Sequence, residues 1–194
     1  MLQPGKDFDY FNPFAEIEAT RANLPHWQQP RVLYFVTFRQ ADSIPSEKLK
    51  NWRIDYNNWL CANPKPWKLA QAEEYEKHFA RKIEKWLDAS SGTCSLADKA
   101  CQKIVADCLE YAAGTDYRLD TYTLATNHVH ALLVVEPDQA LSEILKKWKG
   151  ITARRINQHL DTSGQFWQKE SYDHIVRNET ALNRIRKYIQ AHKK

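Results

Sequence analysis

Two histidines one residue apart, His128 and His130, open the otherwise apolar run that ends at Val135. Leu132, Leu133, Val134 and Val135 in succession suit a buried β-strand. Side chains on a strand alternate in direction, so both imidazoles fall on one face and Val129 on the other. Two ligand nitrogens side by side on a rigid support are part of a metal site. A pair this short also occurs at ordinary strand ends for packing or capping, so it gains meaning only from a partner elsewhere in the chain.

That partner is on the last predicted helix, which begins near Glu179 and reaches His192. Leu182, Ile185 and Ile189 form its core-facing stripe. Tyr188 and His192 are four residues apart and so lie within about 40° of each other at the edge of that stripe. With this helix packed over the face carrying His128 and His130, His192 supplies a third nitrogen and a tyrosine hydroxyl stands beside it. A phenol with an ordinary pKa of about 10 needs a positive charge or a base nearby to become a nucleophile. A divalent ion on three protein ligands provides the charge and keeps positions open for a scissile phosphate. The set therefore predicts a phosphoryl-transfer site.

The rest of the chain predicts the scaffold. Residues 1–30 lack periodicity and read as an N-terminal arm that Phe8, Tyr10, Phe11, Phe14 and Trp27 staple down. Val32 to Phe38 is a central strand. Helical patterns over 46–60, 68–87 and 97–112 form a three-helix insertion (46–113) between the first two strands, broken by Asn63-Pro64-Lys65-Pro66. Tyr117 to Thr126 pairs with the histidine strand as a hairpin. A basic helix from Leu141 to Leu160 follows, with Leu141, Ile144, Leu145, Trp148, Ile151 and Ile156 inside, and then a short edge strand from Tyr172 to Val176. Antiparallel strands interleaved with helices predict one α+β domain over 1–194, a ferredoxin-like antiparallel sheet with helices on one face.

The 194 residues carry 28 Lys and Arg against 24 Asp and Glu, a net charge of +4. From Leu141 onward there are 12 basic and 5 acidic residues, a local +7 that leaves residues 1–140 at −3. This asymmetry predicts a polyanion on one side of the molecule. Tryptophans and tyrosines interleave with Lys147, Lys149, Arg154 and Arg155, which suits stacking on unpaired bases. Cys61, Cys94, Cys101 and Cys108 fit neither a disulfide framework nor a zinc knuckle and read as buried hydrophobes in a reducing compartment. No signal-like or membrane-length apolar stretch occurs, which predicts a cytoplasmic protein with no membrane partner.

Several motifs in fixed order also resemble a known family. Thr126-Asn127-His128-Val129-His130 is followed by Trp148-Lys149 and by Thr152-Ala153-Arg154-Arg155-Ile156-Asn157. Phe166-Trp167-Gln168, Tyr172-Asp173-His174-Ile175-Val176-Arg177-Asn178-Glu179 and Tyr188-Ile189 complete the series. In order and spacing this resembles the REP-associated tyrosine transposases, within the HUH single-tyrosine transposases. Upstream, Tyr34 to Phe38 with Asp42-Ser43-Ile44-Pro45 looks like that family's first strand.

The resemblance implies a bacterial, nucleoid-associated enzyme that cuts single-stranded DNA beside hairpins of repetitive extragenic palindromes, as a monomer or homodimer. It implies Tyr188 as the nucleophile, through a 5′-phosphotyrosine, with His128 and His130 as metal ligands. The family usually has Asn or Gln where this chain has His192, a change that shifts preference from Mg²⁺ toward Mn²⁺ or Zn²⁺. Arg177 and Arg184 join the basic residues above as DNA contacts. The family's Asn-Pro-Val continuation does not follow His192, and the chain stops at Lys194. A second reading is therefore a catalytically inactive, domesticated DNA-hairpin-binding protein. Tyr172 is a rival nucleophile, His174 a candidate phosphate or metal-shell contact, and His26, His78 and His159 have no identifiable partner. A histidine-triad hydrolase is disfavoured because the next alternating position is Leu132.

Overall fold

The computed structural model describes residues 1–15, 18–21, 25–64, 67, 69–89 and 91–192. An antiparallel hairpin of β1 (Glu18–Arg21) and β2 (Pro25–Gln28) precedes β3 (Leu33–Arg39). Then come α1 (Ser46–Ala62), α2 (Leu69–Tyr75), a π-helical stretch Glu76–Ala80, α3 (Arg81–Asp88), a short 3-10 turn Ser95–Ala97 and α4 (Lys99–Tyr111). The chain ends with β4 (Tyr117–Leu124), β5 (His128–Val135), α5 (Leu141–His159), β6 (Tyr172–Ile175) and α6 (Glu179–Ala191).

Four strands make one sheet in the order β4-β5-β3-β6, every neighbour antiparallel. Taken in chain order these are the second, third, first and fourth strands, the arrangement of a ferredoxin-like sheet. β3 is central because it is apolar on both faces. Tyr34, Val36 and Phe38 point into a core shared with Cys101, Val105 and Leu109 of α4 and with Ile144, Trp148 and Ile156 of α5. Leu33 and Phe35 point the other way, to Leu132 and Val134 of β5, Phe8, and Leu182, Ile185 and Ile189 of α6. Helices on one face describe α4 and α5 only. α6 covers the opposite face, because a strand with bulky apolar groups on both sides needs both covered.

The helices between β3 and β4 divide accordingly. α4 lies beside α5 on one face of the sheet, its first turn capped by Asp98 Oδ1, which accepts from Ala100 N at 2.8 Å. α1 to α3 gather an aromatic cluster of their own, in which Trp52 stacks on Tyr56 at 5.0 Å and Phe79 meets Tyr56 edge-on at 5.6 Å. The predicted single helix over 68–87 is interrupted by the π turn that carries Phe79. On α5, Ile151 is 48% exposed, contrary to its place in the expected stripe, and the buried position beside it belongs to Thr152. The Thr152 hydroxyl donates to Trp148 O and accepts from Trp167 Nε1, so this buried polar group is satisfied.

Of the expected N-terminal staples, Phe8 is fully buried and Phe11 stacks on Trp27 at 5.9 Å, whereas Phe14 is 96% exposed. The arm is also held by a buried charge. A bulge between Leu119 and Thr121 leaves Asp120 without a partner on β5 and turns it toward α6. Its carboxylate has no exposed surface and accepts from Arg186 Nε at 2.9 Å and Leu2 N at 2.6 Å, while Arg186 also donates to Leu2 O at 2.7 Å. Removing one partner strands the other charge in the interior. Asp120→Ala should therefore lower unfolding stability by about 3–5 kcal/mol in a denaturant titration, and Asp120→Ala with Arg186→Leu should recover part of that loss.

Candidate active site

β5 and α6 bring the expected side chains together. Cross-strand register sets Thr37 opposite His130 and Arg39 opposite His128, all four on the face that α6 covers. Asn178 caps the start of α6, its side chain accepting from Ala181 N at 2.9 Å, and the helix's stripe of Leu182, Ile185 and Ile189 anchors it on that face. Tyr188 and His192 then overhang the histidine pair. The Tyr188 hydroxyl lies 3.2 Å from His130 Nε2, and the Tyr188 and His192 rings are 4.3 Å apart. Ring centroids of His128 and His130 are 4.6 Å apart, and His192 stands 6.5 and 5.9 Å from them.

Hydrogen bonds decide which nitrogen of each ring carries a lone pair. Asn127 Nδ2 donates to Ser91 O at 2.9 Å, which assigns the amide and leaves Oδ1 as an acceptor 2.7 Å from His128 Nδ1. His128 is therefore protonated on Nδ1 and offers its lone pair from Nε2. His192 Nδ1 donates to the Tyr188 carbonyl at 2.8 Å, with the same consequence. His130 adopts the matching tautomer when its Nδ1 donates to Thr37 Oγ1, 2.8 Å away, and Nε2 then accepts from the Tyr188 hydroxyl. Burial pushes the His128 imidazole down to about 4 and His130 well below its usual range, so both are neutral near pH 7.

Three imidazoles that can offer Nε2 to one ion fit a divalent ion of the Mn²⁺ or Zn²⁺ type better than Mg²⁺, which favours oxygen ligands. His128 and His130 are positioned as a pair, and His192 has to close on them for all three to share one ion. A ligand on His130 Nε2 would also replace its hydrogen bond to Tyr188.

The remaining candidates separate. Tyr172 shares this face but pairs with Thr37 from the far side, two strand spacings or about 10 Å from His130. His174 packs against Phe35 at 5.3 Å, its Nδ1 buried without a hydrogen bond, and burial together with Arg177 and Arg184 pushes its pKa down to about 4. Arg177 and Arg184 thus lie on the tyrosine face. Lys147, Lys149, Arg154 and Arg155 are on α5, across the sheet from Tyr188. Lys147 pairs with Asp116 at 3.1 Å, and Lys149 is tied to Lys169 O at 2.7 Å and Ser171 Oγ at 3.2 Å, while Arg154 and Arg155 are exposed.

Asn127 and Thr37 stand in the sequence motifs without a role of their own, and Arg39, on the same face as Thr37, lies outside those motifs. Arg39 donates to Ser43 Oγ at 3.1 Å and pairs with no carboxylate among the described residues. Burial and the nearby Arg53 hold its pKa down at about 10.

The sequence profile of the family described as transposase IS200-like matches residues 95–192, which span α4 through α6 and include Asn127, His128, His130, Tyr188 and His192. The chain belongs to the IS200-like transposases. No curated protein matches it. Among solved structures it is similar to a REP-associated tyrosine transposase bound to a REP hairpin, at 10% identity and a TM-score of 0.41, covering 87% of this chain and 70% of that one. It is also similar to a transposase of Deinococcus radiodurans, at 14% identity and a TM-score of 0.39, covering 95% of this chain and 98% of that one. This IS200-like transposase is thus a DNA-processing protein of transposase type. No helix among its described residues is long and apolar enough to cross a membrane.

His174 supplies a test of the electrostatics. Its folded pKa of about 4 lies below the model-peptide value of 6.5, so the unfolded chain takes up the proton first as pH falls. The neutral histidine stabilises the fold fully above pH 6.5, and that contribution is lost between pH 6.5 and about 4. The loss reaches roughly 3 kcal/mol at the acid end. In metal-free protein, His174→Leu should flatten the fall of Tm across this window, measured by circular dichroism.

Proposed function

We propose that this transposase is a metal-dependent single-stranded DNA endonuclease and strand transferase, with Tyr188 as nucleophile and His128, His130 and His192 as metal ligands. The observation that carries this reading is the Tyr188 hydroxyl 3.2 Å from His130 Nε2, beside two further imidazoles with outward lone pairs. When bound, the ion neutralises charge on the scissile phosphate and polarises its phosphorus. The tyrosine oxygen bonds to phosphorus as the P–O3′ bond breaks. The phenolic proton is given up, the 3′ oxygen leaves as a hydroxyl, and the 5′ end stays on Tyr188 as a phosphodiester. A free 3′-hydroxyl can later reverse the step and rejoin a strand.

Arg39, opposite His128, and Arg177 and Arg184, beside His174 on the same face, supply positive charge that suits the phosphates flanking the cut. Arg154 and Arg155, with Lys147 and Lys149, offer a more distant sequence-independent contact. The substrate class proposed is a hairpin of repetitive extragenic palindromes, taken from the motif series together with the likeness to a transposase solved with such a hairpin.

End-labelled hairpin oligonucleotides from palindromes flanking the gene, incubated with protein and Mn²⁺ or Mg²⁺, should give a protein-linked fragment on denaturing gels. The adduct should vanish in Tyr188→Phe. Tight hairpin binding with no adduct in any metal would instead select the inactive DNA-hairpin-binding protein. Asn127→Ala frees His128 to change tautomer and should weaken Mn²⁺ affinity by about 10- to 100-fold in calorimetry.

A further inference from the structure

Away from the tyrosine face, Asp98, Cys101 and His159 bring one carboxylate oxygen, one thiol and one imidazole nitrogen within 4.8 Å of one another. Asp98 caps α4, Cys101 lies in the first turn of the same helix, and His159 is the last residue of α5. The three therefore join the two helices that cover one face of the sheet.

We propose that Asp98, Cys101 and His159 form a second, zinc-type metal site that staples the start of α4 to the end of α5. Chemical type argues for it. A thiolate, an imidazole and a carboxylate are the donor classes that select Zn²⁺ over Mg²⁺, and none of the tyrosine-face ligands is a sulfur. Charge argues for it as well, because the thiolate and the Asp98 carboxylate together cancel a divalent cation and leave no net charge at a half-buried position. The carboxylate is already oriented. Its Oδ1 accepts from Ala100 N at 2.8 Å, so Oδ2 faces His159 Nε2 at 2.9 Å.

Metal–ligand bonds of 2.0–2.3 Å set neighbouring ligand atoms roughly 3.5 Å apart, so the trio has to contract by about 1 Å at its widest. His159 is partly exposed and sits at a helix end, where such a movement is small. On binding, the Cys101 thiol loses its proton to solvent and the sulfur bonds the metal. The ion takes the place of the hydrogen between His159 Nε2 and Asp98, and a metal-bound imidazole carries its hydrogen on Nδ1. Three protein ligands leave the fourth position to water.

The site is remote from substrate and its effect is structural. Leu96, two residues before Asp98, donates from its backbone to Thr126 O at 3.0 Å, directly before Asn127 and the histidine pair. A staple at Asp98 therefore steadies the segment that orients His128.

Cobalt distinguishes the two sites, because only a cysteine ligand gives a near-ultraviolet thiolate-to-Co²⁺ charge-transfer band. Full-length protein stripped with chelator should develop that band on Co²⁺ addition, and stoichiometric Zn²⁺ should bleach it. The band should persist in His128→Ala/His130→Ala, disappear in Cys101→Ser, and weaken at least tenfold in apparent affinity in His159→Ala, whose partly exposed position spares the fold. Zn²⁺ should raise the Tm of His128→Ala/His130→Ala, and adding His159→Ala to that variant should abolish the rise. Absence of the band in folded wild-type protein, its survival in Cys101→Ser, or unchanged affinity in His159→Ala would overturn the site. None of these readouts depends on DNA cleavage, so the outcome is independent of the role given to Tyr188.

Discussion

The pairing register of β3 with β5 is the constraint on which the site rests. On the α6 face this pair passes from apolar to polar along its length, from Leu33 opposite Val134 and Phe35 near Leu132 to Thr37 opposite His130 and Arg39 opposite His128. A slip of one residue would turn both imidazoles into the core formed by Phe38, Val129 and Trp148. Burying an unpaired polar group costs several kcal/mol, roughly 2–7 by transfer measurements. The apolar residues of β3 do not by themselves choose between its faces, since both are bulky. Thr37 and Arg39 break that symmetry, because only one face can carry them beside histidines.

From that register a short chain of contacts sets the chemistry. Gly92, at φ +92, lets the backbone pass where an added Cβ would meet Asp42 O at 2.7 Å. Thr93 N then donates to Asp42 Oδ2 at 2.7 Å, and the adjoining Ser91 carbonyl holds the Asn127 amide. Asn127 in turn fixes the proton on His128. The loop at Ser91 thus determines which nitrogen of His128 keeps its lone pair, as expected where a rigid scaffold positions function through its connections. The close approach at Gly92 leaves little freedom in this arrangement.

Period-two alternation placed His128 and His130 on one face, and the four-residue step placed Tyr188 beside His192, because both rules depend only on local backbone geometry. The order of the sheet was legible from the strand and helix sequence for the same reason. Which face α6 would cover was not, since a strand apolar on both sides offers two equivalent docks. Asp120 was hidden because a bulge has no signature in hydrophobic alternation, and its partners Arg186 and Leu2 are distant in sequence. His159 had no recognisable partner for a similar reason, as Asp98 is reached only through the packing of α4 against α5. Ile151 and Phe14 show the reverse error, in which an apolar side chain was assigned to the interior although local packing leaves it outside.

One lone pair cannot serve two partners, and this limits what Tyr188 can do in the arrangement observed. With His130 Nε2 accepting from it, the phenol is neutral and protonated, and its ring lies 5.0 Å from His130 and 4.3 Å from His192. The hydroxyl proposed as nucleophile is thereby held over the site but chemically quiet. A neutral hydrogen bond of this kind is worth only about 1 kcal/mol net, so any better ligand for that nitrogen displaces the hydroxyl at small cost. The hydroxyl so released remains on a helix anchored by Leu182, Ile185 and Ile189, and it can travel no farther than the rotamers of Tyr188 allow. Proximity is therefore preserved when the hydrogen bond is lost, and the same packing that holds α6 on the sheet keeps the freed oxygen over the histidines.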